Sequence, residues 1–306
     1  MISHLARRRT TVVRVLASSQ WTARTAVGQY WMSVCWSPQV SLFVAVGGLS
    51  TLTAMTSPNG NTWTGRNVGV SNLTSVCWSP ELNLFAAIPS SAQFIGLSAN
   101  GISWTVITAP ASIYGTWKAI VWSSELSLFL ILEANGKIAL SSNGTTWTLA
   151  ATLPTSEAWQ TLCWSPDRSL FVAVAGSRIG TSPDGLNWTI RTGVAGNWSS
   201  ICWANGLGLF VAVSNGGTPA VMTSPDGVTW TGRTGITAPW FGLCWAQEQG
   251  LCVAVNANGH VMTSLDGINW IARTGVANEF WRSVVWSPQL SKFVAVSSGS
   301  VVMTSP

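Results

Sequence analysis

The sequence predicts an all-β fold, a seven-bladed β-propeller with four antiparallel strands per blade, and three observations predict it. A phrase of the form W-x-x-φ-C-W-S-P, with φ aliphatic, closes on Trp36, Trp78, Trp122, Trp164, Trp203, Trp245 and Trp286. A second tryptophan follows a turn of the type S-P-D-G and recurs as Trp21, Trp63, Trp104, Trp147, Trp188, Trp230 and Trp270. Neighbours in either series are 39 to 44 residues apart. A period near forty built from short strand patterns marks a radial or stacked repeat. Third, each repeat holds four short apolar runs bounded by Gly, Pro, Asn or Asp.

The repeat at 198–239 shows the elements in order. WSSICWA reads as a strand and NGLG as a turn. LFVAV is a second strand, followed by the loop SNGGTPA. VMTS is a third strand, SPDG turns, and VTWTGRT is a fourth. Four such strands make one propeller blade. Both faces are largely apolar. In the first repeat, Val34 and Trp36 are expected to share a face with Leu42, Val44 and Val46. Trp31, Ser33 and Cys35 are expected to share the other with Phe43 and Ala45. Side chains alternate across a strand, so such a sheet must be covered on both sides, as blades in a ring are. The Trp36 series is therefore read as core between blades.

The turn before the outer strand carries Asp184-Gly185, Asp226-Gly227 and Asp266-Gly267, or Asn59-Gly60, Asn100-Gly101 and Asn143-Gly144. Glycine accepts positive φ, and either Asn or Asp bonds the local backbone. Exchange of Asn and Asp at one slot favours a turn role over catalysis or calcium. The seventh repeat reaches Thr304-Ser305-Pro306 without its outer strand, and the missing pattern stands at 19–25. The N-terminal strand is therefore expected to complete the seventh blade and remove an open edge. Residues 11–16 are an alternative, competing as the third strand there.

Domain boundaries follow: a basic tail at 1–17 and one propeller at 18–306. Arg7, Arg8, Arg9 and Arg14 fall in the tail. Without them the charges nearly balance, eleven basic against ten acidic, although the whole chain carries +5. The body thus has no broad basic field for a nucleic-acid groove. The tail is read as solvated, or as an arm touching an anionic partner. It has no sustained apolar run and is not read as a secretory signal. No run reaches the roughly 18 apolar residues that a membrane-spanning helix needs, so the mean hydropathy of +0.33 reflects a β-core.

Cys35, Cys77, Cys163, Cys202 and Cys244 share one slot with Val121 and Val285, which marks them as small buried hydrophobes. No C-x-x-C or nearby His pair suggests zinc, and no metal or cofactor is expected. Cys252 stands where the other repeats have Phe43, Phe85, Phe129, Phe171, Phe210 and Phe293. Pairing Trp245 with Leu251 would set Cys244 opposite Cys252. A disulfide or two free thiols fit there, and free thiols are expected.

The motif T-S-P-D-G-L-N-W at 181–188, repeated around the chain, resembles the Asp-box (BNR) repeat of sialidase-type propellers. The usual box, S-x-D-x-G-x-T-W, has one more residue between Asp and Trp. The resemblance implies the hairpin from third to fourth strand and does not by itself imply an activity. The phrase W-S-P-x-L-x-L-F-V-A-V also resembles repetitive propeller proteins of large DNA viruses, phages and bacteria, which implies a binding or surface role.

Candidate ligand-binding residues are Trp31, Trp117, Trp159, Trp198, Trp240 and Trp281, which lead the first strand of six blades, with Leu73 in the seventh slot. Aromatics at a loop edge stack on sugars or anchor a protein; the competing reading is that they cap the core between blades. Irregular residues expected on the same face are Tyr30, Tyr114, Lys118, Glu157, His260, Glu279 and Arg282. Glu279, Arg282 and Tyr30 are expected to be neighbours at the ring closure. Arg24, Arg66, Arg191, Arg233 and Arg273 recur on the outer strand, where stacking or turn bonding is expected. The favoured function is non-enzymatic recognition of a glycan or protein by a monomeric disc. The alternatives are a structural virion or surface component, and an Asp-box glycosidase using a Tyr–Glu pair.

Overall fold

The computed structural model describes residues 20–306 apart from 29, 49–50, 92, 155–156 and 277. The basic head with its four arginines, and the competing strand at 11–16, lie outside the described residues. Seven four-stranded antiparallel sheets are arranged as blades. In blade 1 the strands from the centre outward are Trp31–Ser37, Leu42–Gly47, Ala54–Ser57 and Thr64–Arg66. The inner strands of successive blades touch in turn, and Trp31–Ser37 also touches Trp281–Ser287, which closes the ring. Blade 7 is completed by Thr22–Thr25, paired with Val301–Ser305 in the register Thr22↔Thr304 to Thr25↔Val301. The third strand of that blade is thus Val301–Ser305.

Every inner strand runs the same way, which gives the disc two distinct faces. One face collects the loops that lead into the inner strand and those joining second to third strand; we call it the loop face. The other, the turn face, collects the tight turns.

The turns are specified by side chains. In blade 1, Ser57 Oγ accepts from Gly60 N at 2.8 Å, and Asn59 Oδ1 accepts from Asn61 N and Thr62 N. Trp63 Nε1 donates to the Gly60 carbonyl at 3.0 Å. Asp184 and Ser182 repeat the pattern in blade 4. The glycine is needed twice. Gly227 has φ +74, and a Cβ there would lie 2.8 Å from Leu170 Cδ2 of the preceding blade.

The core lies between blades. Between blades 3 and 4, Leu130, Leu132 and Ile138 meet Trp159, Leu162 and Phe171. Each of the aliphatic and phenylalanine side chains contributes about 1.5–3 kcal/mol on burial.

Two details differ from the sequence reading. Trp36 pairs with Phe43 and Cys35 with Val44, so Val34 and Trp36 share their face with Phe43 and Ala45. The expected faces were one residue out of step. A bulge between Trp31 and Ser33 then brings Trp31 to the same cluster as Trp36. The same slip removes the cross-strand thiol pair. Cys252 lies opposite Trp245, Cys244 lies opposite Val253, and both cysteines are free. Directly paired residues share a face, so the two thiols point to opposite sides of the sheet.

Candidate functional site

The six leading tryptophans are buried rather than presented on the surface. Trp31, Trp159, Trp198, Trp240 and Trp281 are 0% exposed and Trp117 is 1% exposed. A bulge at the head of the inner strand turns the rings of Trp31, Trp117, Trp198, Trp240 and Trp281 into the space between blades, while Trp159 enters it from just before its strand. Most indole N–H groups are spent on the incoming loop: Trp117 on the Ile113 carbonyl, Trp198 on Val194 and Trp240 on Ile236. The capping reading holds for these rings.

The irregular residues all stand on the loop face, though not as one cluster. Tyr114 follows a single 3-10 turn at Ala111–Ile113, and its carbonyl accepts from Lys137 Nζ at 3.0 Å. Glu157 pairs with Arg178 at 3.6 Å. The His260 backbone N–H donates to Asn256 Oδ1 and its side chain is exposed. Lys118 sits in the bulge of blade 3. Around the closure, Tyr30, Glu279 and Arg282 converge on the loop Ser297–Gly299. Tyr30 N donates to the Ser298 carbonyl, Arg282 Nε to Ser298 Oγ at 2.8 Å, and Ser297 Oγ to Glu279 Oε2 at 2.8 Å. They are neighbours as expected. Glu279 is nevertheless occupied by a serine, and Arg282 lies over Phe280 at 4.1 Å and Phe241 at 5.0 Å. Burial lowers the Arg282 pKa. Glu279 is bonded to Ser297 and the Tyr30 N–H to the Ser298 carbonyl, so the three neighbours form no Tyr–Glu hydrogen bond.

What the loop face does offer is exposed apolar surface. Tyr30 is 47% exposed, Phe94 41% and Phe280 37%. Phe94 and Tyr114 line a cavity of about 480 Å³ with Gly69, Val70, Ser91 and Gln93. Tyr30, Met32 and Leu73 line a second, of about 220 Å³.

The outer-strand arginines bond threonines rather than turns. Arg24 Nε donates to Thr304, Arg66 to Thr56, Arg233 to Thr223 and Arg273 to Thr263. The acceptor lies on the paired third strand, so these residues tie the rim together. Arg191 departs from the series: its Nε is buried and has no partner.

On the turn face, the sequence reading missed a ring of bonds. In six of the seven blades the inner-strand tryptophan reaches the turn residue that follows the equivalent tryptophan of the preceding blade by three positions. Trp36 Nε1 donates to Gln289, Trp78 to Gln39, Trp122 to Glu81, Trp164 to Glu125, Trp203 to Asp167 and Trp286 to Glu248, all at 2.5–2.8 Å. Blade 6 is the exception. Its predecessor has Gly206 at the acceptor slot, and Trp245 bonds Gln247 of its own blade at 2.8 Å. A Cβ on Gly206 would come 2.8 Å from Trp245 Cζ2, so the glycine makes room for the turned ring. The signal was legible: the slot three residues after the tryptophan holds Gln, Glu or Asp in every repeat but one.

These rings surround the channel mouth. Trp122, Trp164, Trp203 and Trp245 are part-exposed, unlike the leading tryptophans. A mouth of about 550 Å³ is lined by Trp78, Trp122, Trp164 and Trp203 together with Cys77, Cys163 and Cys202. It touches the inner strands of four successive blades, a position only the central channel offers. Burial drives the Cys202 thiol up to about 12 and raises Cys163 well above the usual thiol range, which disfavours both thiolates. The described residues contain no group of His, Cys, Asp and Glu suited to a metal. No helix among them is long and apolar enough to cross a membrane.

The fold and its repeated turns define a seven-bladed β-propeller. The family described as the DUF6242 beta propeller domain matches residues 99–241. No curated protein matches the chain. Among solved structures, one described as YCF48 bound to D1 peptide is similar at 16% identity and TM-score 0.71, over 93% of this chain and 96% of that one. YCF48 from Cyanidioschyzon merolae is similar at 14% identity and TM-score 0.70, over 93% and 98%. A virginiamycin B lyase from Staphylococcus aureus, solved with quinupristin, is similar at 8% identity and TM-score 0.79, over 93% and 99%. At these identities the likeness is one of fold.

Proposed function

We propose that the chain is a non-enzymatic recognition propeller that holds a segment of a partner protein on its loop face. The observation that carries this reading is the cavity between Phe94 and Tyr114. It joins part-exposed aromatic rings to backbone and amide groups, the composition of a protein-binding hot spot. A protein partner is preferred to a glycan because the six leading indoles, the natural stacking platform for sugars, are buried. The likeness to a propeller described with a bound peptide supports the same reading. Specificity resides in Tyr30, Tyr114, Glu157, His260, Glu279 and Arg282, the residues that break the repeat on this face.

The test is a peptide-display selection on the immobilised chain, with a Phe94→Ser/Tyr114→Ala variant and a glycan array beside it. Peptides that bind the parent and lose at least tenfold in affinity on the folded variant support the reading. Glycans retained without peptides, or peptides indifferent to the variant, refute it.

A further inference from the structure

The turn-face ring contains more charge than its structural task requires. Each acceptor holds one indole N–H, and Gln39 and Gln289 show that a neutral amide suffices. Four blades nevertheless use carboxylates, and three of these, Glu81, Glu125 and Asp167, are consecutive around the mouth. An indole is a neutral donor, so these hydrogen bonds bring no countercharge to the carboxylates. The ion pair Glu157–Arg178 lies on the opposite face; at this rim Arg168, over the Trp203 ring, brings one positive charge beside Asp167 against the three carboxylates. The exposed parts of Trp122, Trp164 and Trp203 line the mouth, and the N–H of each indole reaches out to one of the carboxylates. An indole whose N–H is donated to an anion has an electron-richer ring, which favours a cation over its face. The chain uses this geometry once already: the Arg168 guanidinium lies 5.7 Å from the Trp203 ring centroid.

We propose that this channel mouth is a second binding site, which takes an arginine or lysine side chain from a basic segment of a partner protein. The cation sits among the indoles of Trp122, Trp164 and Trp203, and Glu81, Glu125 and Asp167 supply the countercharge. The site lies on the opposite face from the Phe94–Tyr114 cavity and does not depend on it. Mouth and ligand are complementary in charge, so the association is strongest at low salt and weakens as the Debye length shrinks.

The probe is a fluorescein-labelled hexa-arginine peptide, titrated with the full chain by anisotropy, with a hexa-glutamate peptide as control. The decisive variant is Glu81→Gln/Glu125→Gln/Asp167→Asn, which keeps an acceptor for every indole while removing the charge. The expected result is hexa-arginine binding that weakens at least tenfold in this variant, with no hexa-glutamate binding. A folded Trp164→Leu variant is expected to lose about fivefold. Phe94→Ser, on the other face, is expected to bind as the parent does. If the triple variant loses its circular dichroism, Glu125→Gln alone decides, with about a threefold loss expected. No hexa-arginine binding, or equal binding by the charge variant, overturns the proposal. Binding indifferent to Trp164→Leu removes the aromatic part and overturns it as stated.

Discussion

Replacing Trp198 by alanine separates a core tryptophan from a ligand platform. The ring is 0% exposed and packs among Val172, Ile179 and Phe210 between blades 4 and 5. A buried tryptophan removes about 200 Å² from water, worth about 5 kcal/mol at ~25 cal/mol/Å². The alanine methyl retains about 1 kcal/mol of that, while the Val194 carbonyl, which accepts the indole N–H at 2.8 Å, loses its partner at a cost of about 1 kcal/mol. The expected loss is about 5 kcal/mol, at the upper end of the ~3–5 kcal/mol that such truncations cost. The assay is urea unfolding followed by far-ultraviolet circular dichroism, with Trp164→Ala beside it. Trp164 is part-exposed and its partner Glu125 is solvated, so that variant is expected to lose about half as much. A loss under about 1 kcal/mol for Trp198→Ala would mean that the ring is not core, and the argument from burial would fail.

Further outcomes follow from single contacts. Burial opposes ionisation of Asp184 and Asp266, but hydrogen bonds from Asn187, Leu186 and Ser182, and from Asn269, Ile268 and Ser264, outweigh it and hold both carboxyls at about 2. A folded pKa below the unfolded value gives stability that is present above about pH 4 and lost as pH falls towards 2. Asp184→Asn/Asp226→Asn/Asp266→Asn should therefore flatten the acid limb of a melting-temperature profile, since blades 1 to 3 already use Asn there. Gly227→Ala must adopt φ +74 and crowd Leu170, and should cost about 2–3 kcal/mol in urea unfolding. Gln247→Ala leaves the Trp245 N–H without its acceptor. Gly206→Gln crowds the turned ring but, once Gln247 is removed, should let Trp245 swing to the repeat's acceptor geometry and rescue it, with a coupling of about 1 kcal/mol in a double-mutant cycle. Iodoacetamide should label native Cys163, Cys202 and Cys244 slowly at pH 8, because burial disfavours each thiolate. Fast labelling before unfolding would contradict it.

The blade count, the strand order, the Asn/Asp-Gly turns and the closure by Thr22–Thr25 were legible because each is written in local pattern and repeated around the chain. Register was not. Val34 and Trp36 on one face and Cys35 with Val44 on the other are both apolar, so alternation alone gives no anchor and a one-residue slip goes unnoticed. The burial of Trp198 and of four of its equivalents goes with a bulge that no residue type announces. The indole–carboxylate ring was visible as a conserved spacing within the chain, from Trp36 to Gln39 and from Trp78 to Glu81. Its partners, however, lie in adjacent blades, and only closure shows which tryptophan meets which acid.

Hydrogen exchange of the chain, alone and with a peptide selected on it, tests loop-face recognition most directly. Slower exchange at 69–71, 93–95 and 113–116, around Phe94 and Tyr114, is the predicted result. Protection confined to the turn face, or none at these segments while the peptide stays bound, would contradict it.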